Sequence, residues 1–192
     1  MRIIAGEMRG RRLKSLKGEN TRPTTDRVRE ALMSALMSAR GTFEGARVLD
    51  AFAGSGALGF ECLSRGASFV LACEQARAAA AVIEENARDL KLPPARFRLR
   101  RSDAFTLPAS VVGAFDIVFL DPPYAFEPEK VLGLVTALDE AGALNEGALV
   151  CYEHAKKDKQ AVQEVVGTLQ YELVSVKDYG DTSLVTLRKE TK

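Results

Sequence analysis

The chain has 192 residues, 46% hydrophobic and 28% charged, with a formal net charge of +1, which suits one soluble domain with a sizeable core. No apolar run approaches the ~20 residues that a membrane helix needs, and the first residues lack the apolar stretch of a signal peptide. Cys62, Cys73 and Cys151 are scattered and set in apolar runs, so they read as reduced thiols of a cytoplasmic protein, with no disulfide frame and no metal site.

The charge is unevenly spread. Residues 1–29 hold nine Lys/Arg against three acids, a net of +6, which leaves −5 for the remainder. A basic arm on a mildly acidic body points to a polyanion, and the bland alternative is a solvated tail. Residues 1–21 read as a Gly- and Arg-rich arm or short hairpin around Gly10, ahead of a main domain over 22–192. Pro23 follows, with Thr24, Thr25 and Asp26 as N-cap candidates. Val28, Leu32, Ala35, Leu36 and Ala39 recur at helical spacing, which predicts an amphipathic helix over 26–39.

From there strands and helices alternate. Strands are predicted at 47–52, 69–74, 96–101, 115–121 and 148–153. Helices are predicted at 56–65, 75–90, 128–141 and 157–168. The segment 171–188 holds two strand-like runs around a turn at Tyr179-Gly180-Asp181. Short apolar strands separated by helices imply a parallel sheet covered on both faces, with an antiparallel hairpin added at one edge. Such sheets bind ligands beyond the carboxyl ends of their strands.

The first strand runs into Asp50-Ala51-Phe52-Ala53-Gly54-Ser55-Gly56, and Gly59 completes a G-x-G-x-x-G spacing. Glycines there let the backbone turn tightly and approach a ligand closely. Glu74 closes the second strand, 18 residues after Gly56, where a carboxylate can accept from ribose hydroxyls. A dinucleotide and S-adenosylmethionine both carry that ribose. Asp50 favours the second, because a carboxylate aimed into the loop suits an amine better than a pyrophosphate. Asp103 and Ala104 end the third strand, where Asp103 can accept from an adenine amino group or simply cap a helix.

Asp121-Pro122-Pro123-Tyr124 follows the fourth strand directly. Two consecutive prolines fix φ and remove two backbone donors, leaving a stiff ledge of carbonyl acceptors. Asp121 adds a carboxylate acceptor and Tyr124 a flat ring. The set matches an aromatic amine, with two N–H groups to accept and a base to stack. A dehydrogenase has no use for it.

With these motifs in place, the chain resembles the bacterial small-subunit ribosomal RNA guanine-N2 methyltransferases that modify 16S guanine(966). The resemblance covers nearly the whole length. It rests on Arg2-Ile-Ile-Ala-Gly with Arg9-Gly10-Arg11, on Thr21-Arg22-Pro23-Thr24 leading into Asp26-Arg27-Val28-Arg29-Glu30-Ala31-Leu32, on the loop from Asp50, and on Asp121-Pro-Pro-Tyr. The last two are shared with many amino-methyltransferases, and the N-terminal pair are the specific ones. The resemblance implies a class I, Rossmann-like methyltransferase fold with a mostly parallel seven-stranded sheet. It implies S-adenosyl-L-methionine as donor and a guanine 2-amino group of 16S rRNA as acceptor, within the small subunit or an assembly intermediate. Asp50, Ala51, Phe52, Gly54, Gly56, Glu74, Gln75, Asp103 and Ala104 would then hold the cofactor. Asp121, Pro122, Pro123 and Tyr124 would hold the base.

Arg9, Arg11, Arg12, Lys14, Arg22 and Arg27 read as phosphate contacts, which position the partner but carry little sequence information. His154, the single histidine, reads as structural. The chain is expected to act as a monomer. Two alternatives stay open: an N6-adenine methyltransferase on DNA or RNA, and a catalytically silent RNA-binding assembly factor.

Overall fold

The computed structural model describes residues 1–16, 26–108 and 113–191. Arg22, Thr24, Thr25 and the boundary at 21/22 lie outside the described residues. The chain divides into two compact units, Met1–Ala104 and Phe105–Lys192.

The first unit begins with residues 1–16 folded back on themselves. Arg2 bridges Arg12 in antiparallel fashion, the Ile3 N–H donates to the Arg11 carbonyl at 3.0 Å, and the Leu13 N–H donates to the Met1 carbonyl at 3.0 Å. Gly10 sits at φ 81, in the left-handed region that only glycine enters without cost. Ile3, Met8 and Leu13 are buried. Helix α1 (Asp26–Arg40) turns Leu32, Met33 and Leu36 inward. Strands β1 (Arg47–Asp50), β2 (Phe69–Cys73) and β3 (Phe97–Arg100) then form a parallel set in the order β3-β2-β1. Arg47 pairs with Phe69, and Val70 with Phe97. Helices α2 (Ala57–Ser64) and α3 (Arg77–Asp89) make the crossovers. Lys91 at φ 57 and the Pro93-Pro94 pair end the chain's helical path after α3.

The second unit orders β4 (Phe115–Leu120), β5 (Leu144–Ala155), β7 (Thr182–Lys189) and β6 (Tyr171–Tyr179) as β4-β5-β7-β6. Strand β5 lies parallel to β4, and the C-terminal hairpin is antiparallel, with β7 against β5 and β6 outermost. Strand β5 begins earlier than its apolar run at 148 predicts. Leu144 already pairs with Phe115, and a register shift between Phe115 and Ile117 absorbs the extra residues, with Gly147 at φ 72. Helix α4 (Pro128–Glu140) starts on proline, whose missing N–H is one of the donors a helix start leaves unpaired anyway. Helix α5 (Lys159–Val166) is shorter than predicted, because Lys156–Asp158 form a 3-10 turn instead. No helix among the described residues is long and apolar enough to cross a membrane.

Candidate functional site

The loop after β1 is built inward. The Ala53 N–H donates to the Cys73 carbonyl at 2.9 Å and the Gly56 N–H donates to the Ala53 carbonyl at 2.6 Å. Glu74, just past β2, accepts the Gly54 N–H at 2.9 Å on Oε2 and the Ala76 N–H at 2.7 Å on Oε1. Each oxygen has a second lone pair, so the carboxylate can brace the loop and still accept from a ribose. Asp50 is buried, at 1% exposure, and its Oδ2 accepts the Gly59 N–H at 3.3 Å. Burial pushes its carboxyl up to about 7, the Gly59 bond opposes this, and the Glu74 charge adds to it.

The three glycines do different work. Gly54 sits at φ +55 with nothing within 4 Å of where a Cβ would stand, so its backbone faces open space. Gly56 sits at φ +78, and a Cβ there would lie 2.6 Å from the Phe60 ring. At Gly59 a Cβ would lie 2.8 Å from Val70 Cγ1, so this glycine lets α2 press against β2. Ala51 is buried and Phe52 half-buried, Gln75 and Asp103 are exposed, and Ala104 is buried. An open glycine surface beside a half-buried carboxylate fits the ribose and amino-acid parts of S-adenosylmethionine.

The motif after β4 is built outward. Asp121 is half-buried and Pro122 is buried, while Pro123, Tyr124 and Ala125 are exposed. The Phe126 N–H donates back to the Pro123 carbonyl at 3.1 Å, closing a turn that presents Tyr124 at 41% exposure. The Tyr124 hydroxyl is 2.8 Å from the Thr182 hydroxyl. Beyond the turn, Phe126 meets Phe105 edge-on at 5.4 Å, and the Lys130 ammonium lies 4.4 and 4.8 Å from the two ring centres. Asp121 through Tyr124 thus stand together in the second unit, and the nine predicted cofactor residues stand together in the first.

The predicted phosphate contacts divide into two sets. Arg9, Arg12 and Arg27 are exposed. Arg11 donates to the Asp89 carbonyl at the end of α3. Lys14 pairs with Glu85 and, at 3.4 Å, with Asp89, and these carboxylates, the Glu85 hydrogen bond first, raise its pKa above the usual lysine value. Arg29, counted among the arm's charges, is 1% exposed. Its Nε donates to Glu61 at 3.2 Å, and its Nη2 donates to Asp26 at 2.9 Å and to the Arg2 carbonyl at 2.8 Å.

The family described as "Conserved hypothetical protein 95" matches residues 1–188. The chain belongs to that family. Relatives that bear the name ribosomal RNA small subunit methyltransferase D include two well-matched proteins. The Haemophilus influenzae protein is 38% identical over 165 residues, covering 84% of this chain and 82% of its own. The Escherichia coli K12 protein is 39% identical over 153 residues, covering 80% of this chain and 74% of its own. Among solved structures, one from Escherichia coli, provisionally described as methyltransferase yhhF, superposes with a TM-score of 0.81 at 32% identity, covering 100% of this chain and 99% of that one. A family member therefore has the class I, Rossmann-like methyltransferase fold expected of the sequence, with five parallel-type strands and a C-terminal antiparallel hairpin.

Three polar residues with structural work escaped the sequence reading. Glu61 is fully buried in α2, where it accepts the Ile4 N–H at 2.8 Å and pairs with Arg29 and Arg65. Asn86 accepts the Lys14 N–H at 2.7 Å and donates to the Ser55 carbonyl at 3.1 Å, so it ties the N-terminal hairpin to the glycine loop. Thr182 anchors Tyr124. Each stands in an otherwise ordinary helix or strand pattern, and only an Arg or Glu on an apolar helix face hints at such a role. His154 is buried in β5, its Nδ1 on the Ala155 carbonyl at 2.9 Å, and burial lowers its pKa, in keeping with a structural place.

Proposed function

We propose that this protein transfers a methyl group from S-adenosyl-L-methionine to the exocyclic 2-amino group of a guanine in 16S rRNA, guanine(966), acting as a cytoplasmic monomer on the small subunit or an assembly intermediate. Family membership across the chain and the names of its relatives support the coarser statement, an rRNA methyltransferase that uses S-adenosylmethionine. The observation that carries the base-amine reading is the outward turn at Asp121–Tyr124, with its acceptors and its anchored, exposed ring.

The cofactor supplies a methyl group already activated on a sulfonium. Glu74 accepts from its ribose hydroxyls, the open backbone at Gly54 lets it approach, and Asp103 accepts from its adenine amine. Asp121 and the Pro122 carbonyl accept hydrogen bonds from the two N–H groups of the target amine. Those bonds draw the nitrogen toward tetrahedral geometry and aim its lone pair, so catalysis is orientation and electrostatics. Tyr124 stacks on the base, which offsets part of the few kcal/mol that leaving its stack costs. Asp121 is placed to take the proton that the amine sheds. Arg9, Arg12, Arg22 and Arg27 contact phosphates, while Arg11 and Lys14 are already engaged by the end of α3.

The test supplies methyl-labelled S-adenosylmethionine with small subunits lacking the modification, naked 16S rRNA, or duplex DNA, followed by nucleoside analysis. N2-methylguanosine from subunits is expected. N6-methyladenine would replace the substrate and keep the mechanism. No label on any substrate would favour the silent assembly factor.

A further inference from the structure

The C-terminal hairpin enters the fold as sheet extension, yet its turn carries a polar cluster that reaches Tyr124. Thr182 opens β7, opposite Ala155 of β5 and Tyr179 of β6, and is 5% exposed. Its hydroxyl lies 2.8 Å from that of Tyr124, 58 residues away in sequence. The tip of Tyr124 is thereby tied to the sheet while its ring stays 41% exposed.

The anchor is itself held. The Lys156 N–H donates to the Asp181 carbonyl at 2.8 Å. The Ser183 hydroxyl donates to Asp178 at 2.9 Å. Asp178 also pairs with Lys159 at 3.1 Å and with Lys156 at 3.6 Å. The Thr182 hydroxyl therefore stands at a fixed point, because Asp181 before it is bonded to the 3-10 turn that follows β5, and Ser183 after it is bonded to Asp178 of β6 and pairs with His154 of β5.

We propose that Thr182 is a positioning residue for methyl transfer: by holding the Tyr124 hydroxyl it sets the plane on which the target base stacks. The inference rests on the base-stacking reading of Tyr124. A tyrosine on an exposed turn has two free side-chain torsions, and ordering them at the moment of binding would weaken every substrate. Tying the hydroxyl in the folded protein removes that freedom in advance, and the ring face meets the base already oriented.

The experiment compares wild type, Y124F, T182V, T182S and the Y124F/T182V double variant on small subunits lacking the modification, measuring kcat, KM and S-adenosylhomocysteine affinity. Y124F and T182V should each lower kcat/KM roughly five- to tenfold, the scale of one lost hydrogen bond. The double variant should be no worse than either single, since both remove the same contact. T182S should restore transfer, and S-adenosylhomocysteine affinity should be unchanged in all four variants. Additive losses in the double variant, or wild-type kcat/KM in T182V, would overturn the inference. Should T182V fail to fold, Y124F decides alone, because it alters only the tip of an exposed ring: full activity overturns the proposal and a loss supports it. Absence of transfer by the wild type overturns the base-amine reading itself, and the inference with it.

Discussion

The two loops to which the proposed chemistry is assigned are built in opposite senses. The glycine loop turns its hydrogen bonds inward: Asp50, Ala51, Ala53 and Gly56 are buried, and Glu74 and Cys73 take up its N–H groups. The turn after β4 faces outward, with Pro123, Tyr124 and Ala125 exposed in sequence and stiffness supplied by proline rings and one anchored hydroxyl. A small ligand that must sit in one pose suits the first construction. A base delivered by a macromolecule needs the second, because it must be reached from solvent. Substitutions in the first loop should therefore act on folding and on cofactor affinity together, and those in the second on kcat/KM for the nucleic acid without changing cofactor affinity.

Asp121→Ala gives the widest separation. Removing the acceptor that aims the amine should lower kcat by about 10²–10³-fold, roughly 3–4 kcal/mol of transition-state stabilisation. The melting temperature and its rise on adding S-adenosylhomocysteine should stay near wild type. A variant that turns over normally would remove Asp121 from the reaction, and one that also loses cofactor affinity would erase the division between the loops.

Asp50 tests the inward construction through pH. Burial pushes its carboxyl up to about 7 in the folded protein, against the ordinary 3.8 of an exposed aspartate. Between those values the folded protein keeps a proton that the unfolded chain has lost, so this group's contribution is complete below the lower value and is lost as pH rises toward 7. That difference corresponds to about 4 kcal/mol, and burying an amide NH2 in place of the carboxyl returns about 1 kcal/mol, while the Asn oxygen still accepts the Gly59 N–H. Asp50→Asn should therefore be more stable than wild type at pH 8, by about 3 kcal/mol at most, with the advantage gone at pH 4. Denaturant titrations at the two pH values measure it, and parallel stability curves for the two proteins would contradict the burial argument.

The glycines allow a finer contrast. Gly56→Ala should cost about 1–2 kcal/mol, because φ +78 is strained for any side chain and the Phe60 ring must also move. Gly54→Ala has the same backbone penalty but no clash, so its stability loss should be the smaller of the two. Its new methyl group, however, stands in the open space assigned to the cofactor. Thermal melts with and without S-adenosylhomocysteine should show Gly54→Ala losing more of the ligand-induced shift than of the baseline. Equal ligand shifts in wild type and Gly54→Ala would move the cofactor off that surface.

How much of this was legible follows from which forces act locally. The alternation of strands and helices identified β1 to β4 and α1 to α4 to within a few residues, because β1, β2 and β4 are largely buried and apolar along their length, while the outer strand β3 alternates Phe97-Arg98-Leu99-Arg100. The G-x-G-x-x-G spacing was readable because left-handed backbone at Gly54 and Gly56 and the close approach of Val70 at Gly59 each select glycine at a single position. The early start of β5 was not, since Asn145, Glu146 and Gly147 have no strand-like pattern and are recruited by pairing with Phe115 and by the register shift. Arg29 misled for the same reason. Its charge is visible in sequence, but its burial depends on Glu61, 32 residues away. Thr182 depends on a partner 58 residues away, in a different element, and no local pattern encodes that.

The smallest expected effect lies in the N-terminal arm and sharpens the contrast between cations that are exposed and cations already engaged. Each phosphate neutralised by a cation contributes about 0.7–0.9 to the slope of log affinity against log salt. Arg9 and Arg12 are exposed, so replacing both with Ala should flatten that slope by about 1–2 for binding to the small subunit. Lys14 already faces Glu85 and Asp89, and an ammonium so paired has less counterion to release. Lys14→Ala should then change the slope by well under 1, even though its formal charge equals theirs. If Lys14 proved equal to Arg9 and Arg12, the pairs with α3 would have to break on binding, and the arm would have to lift from Asn86 to reach the RNA.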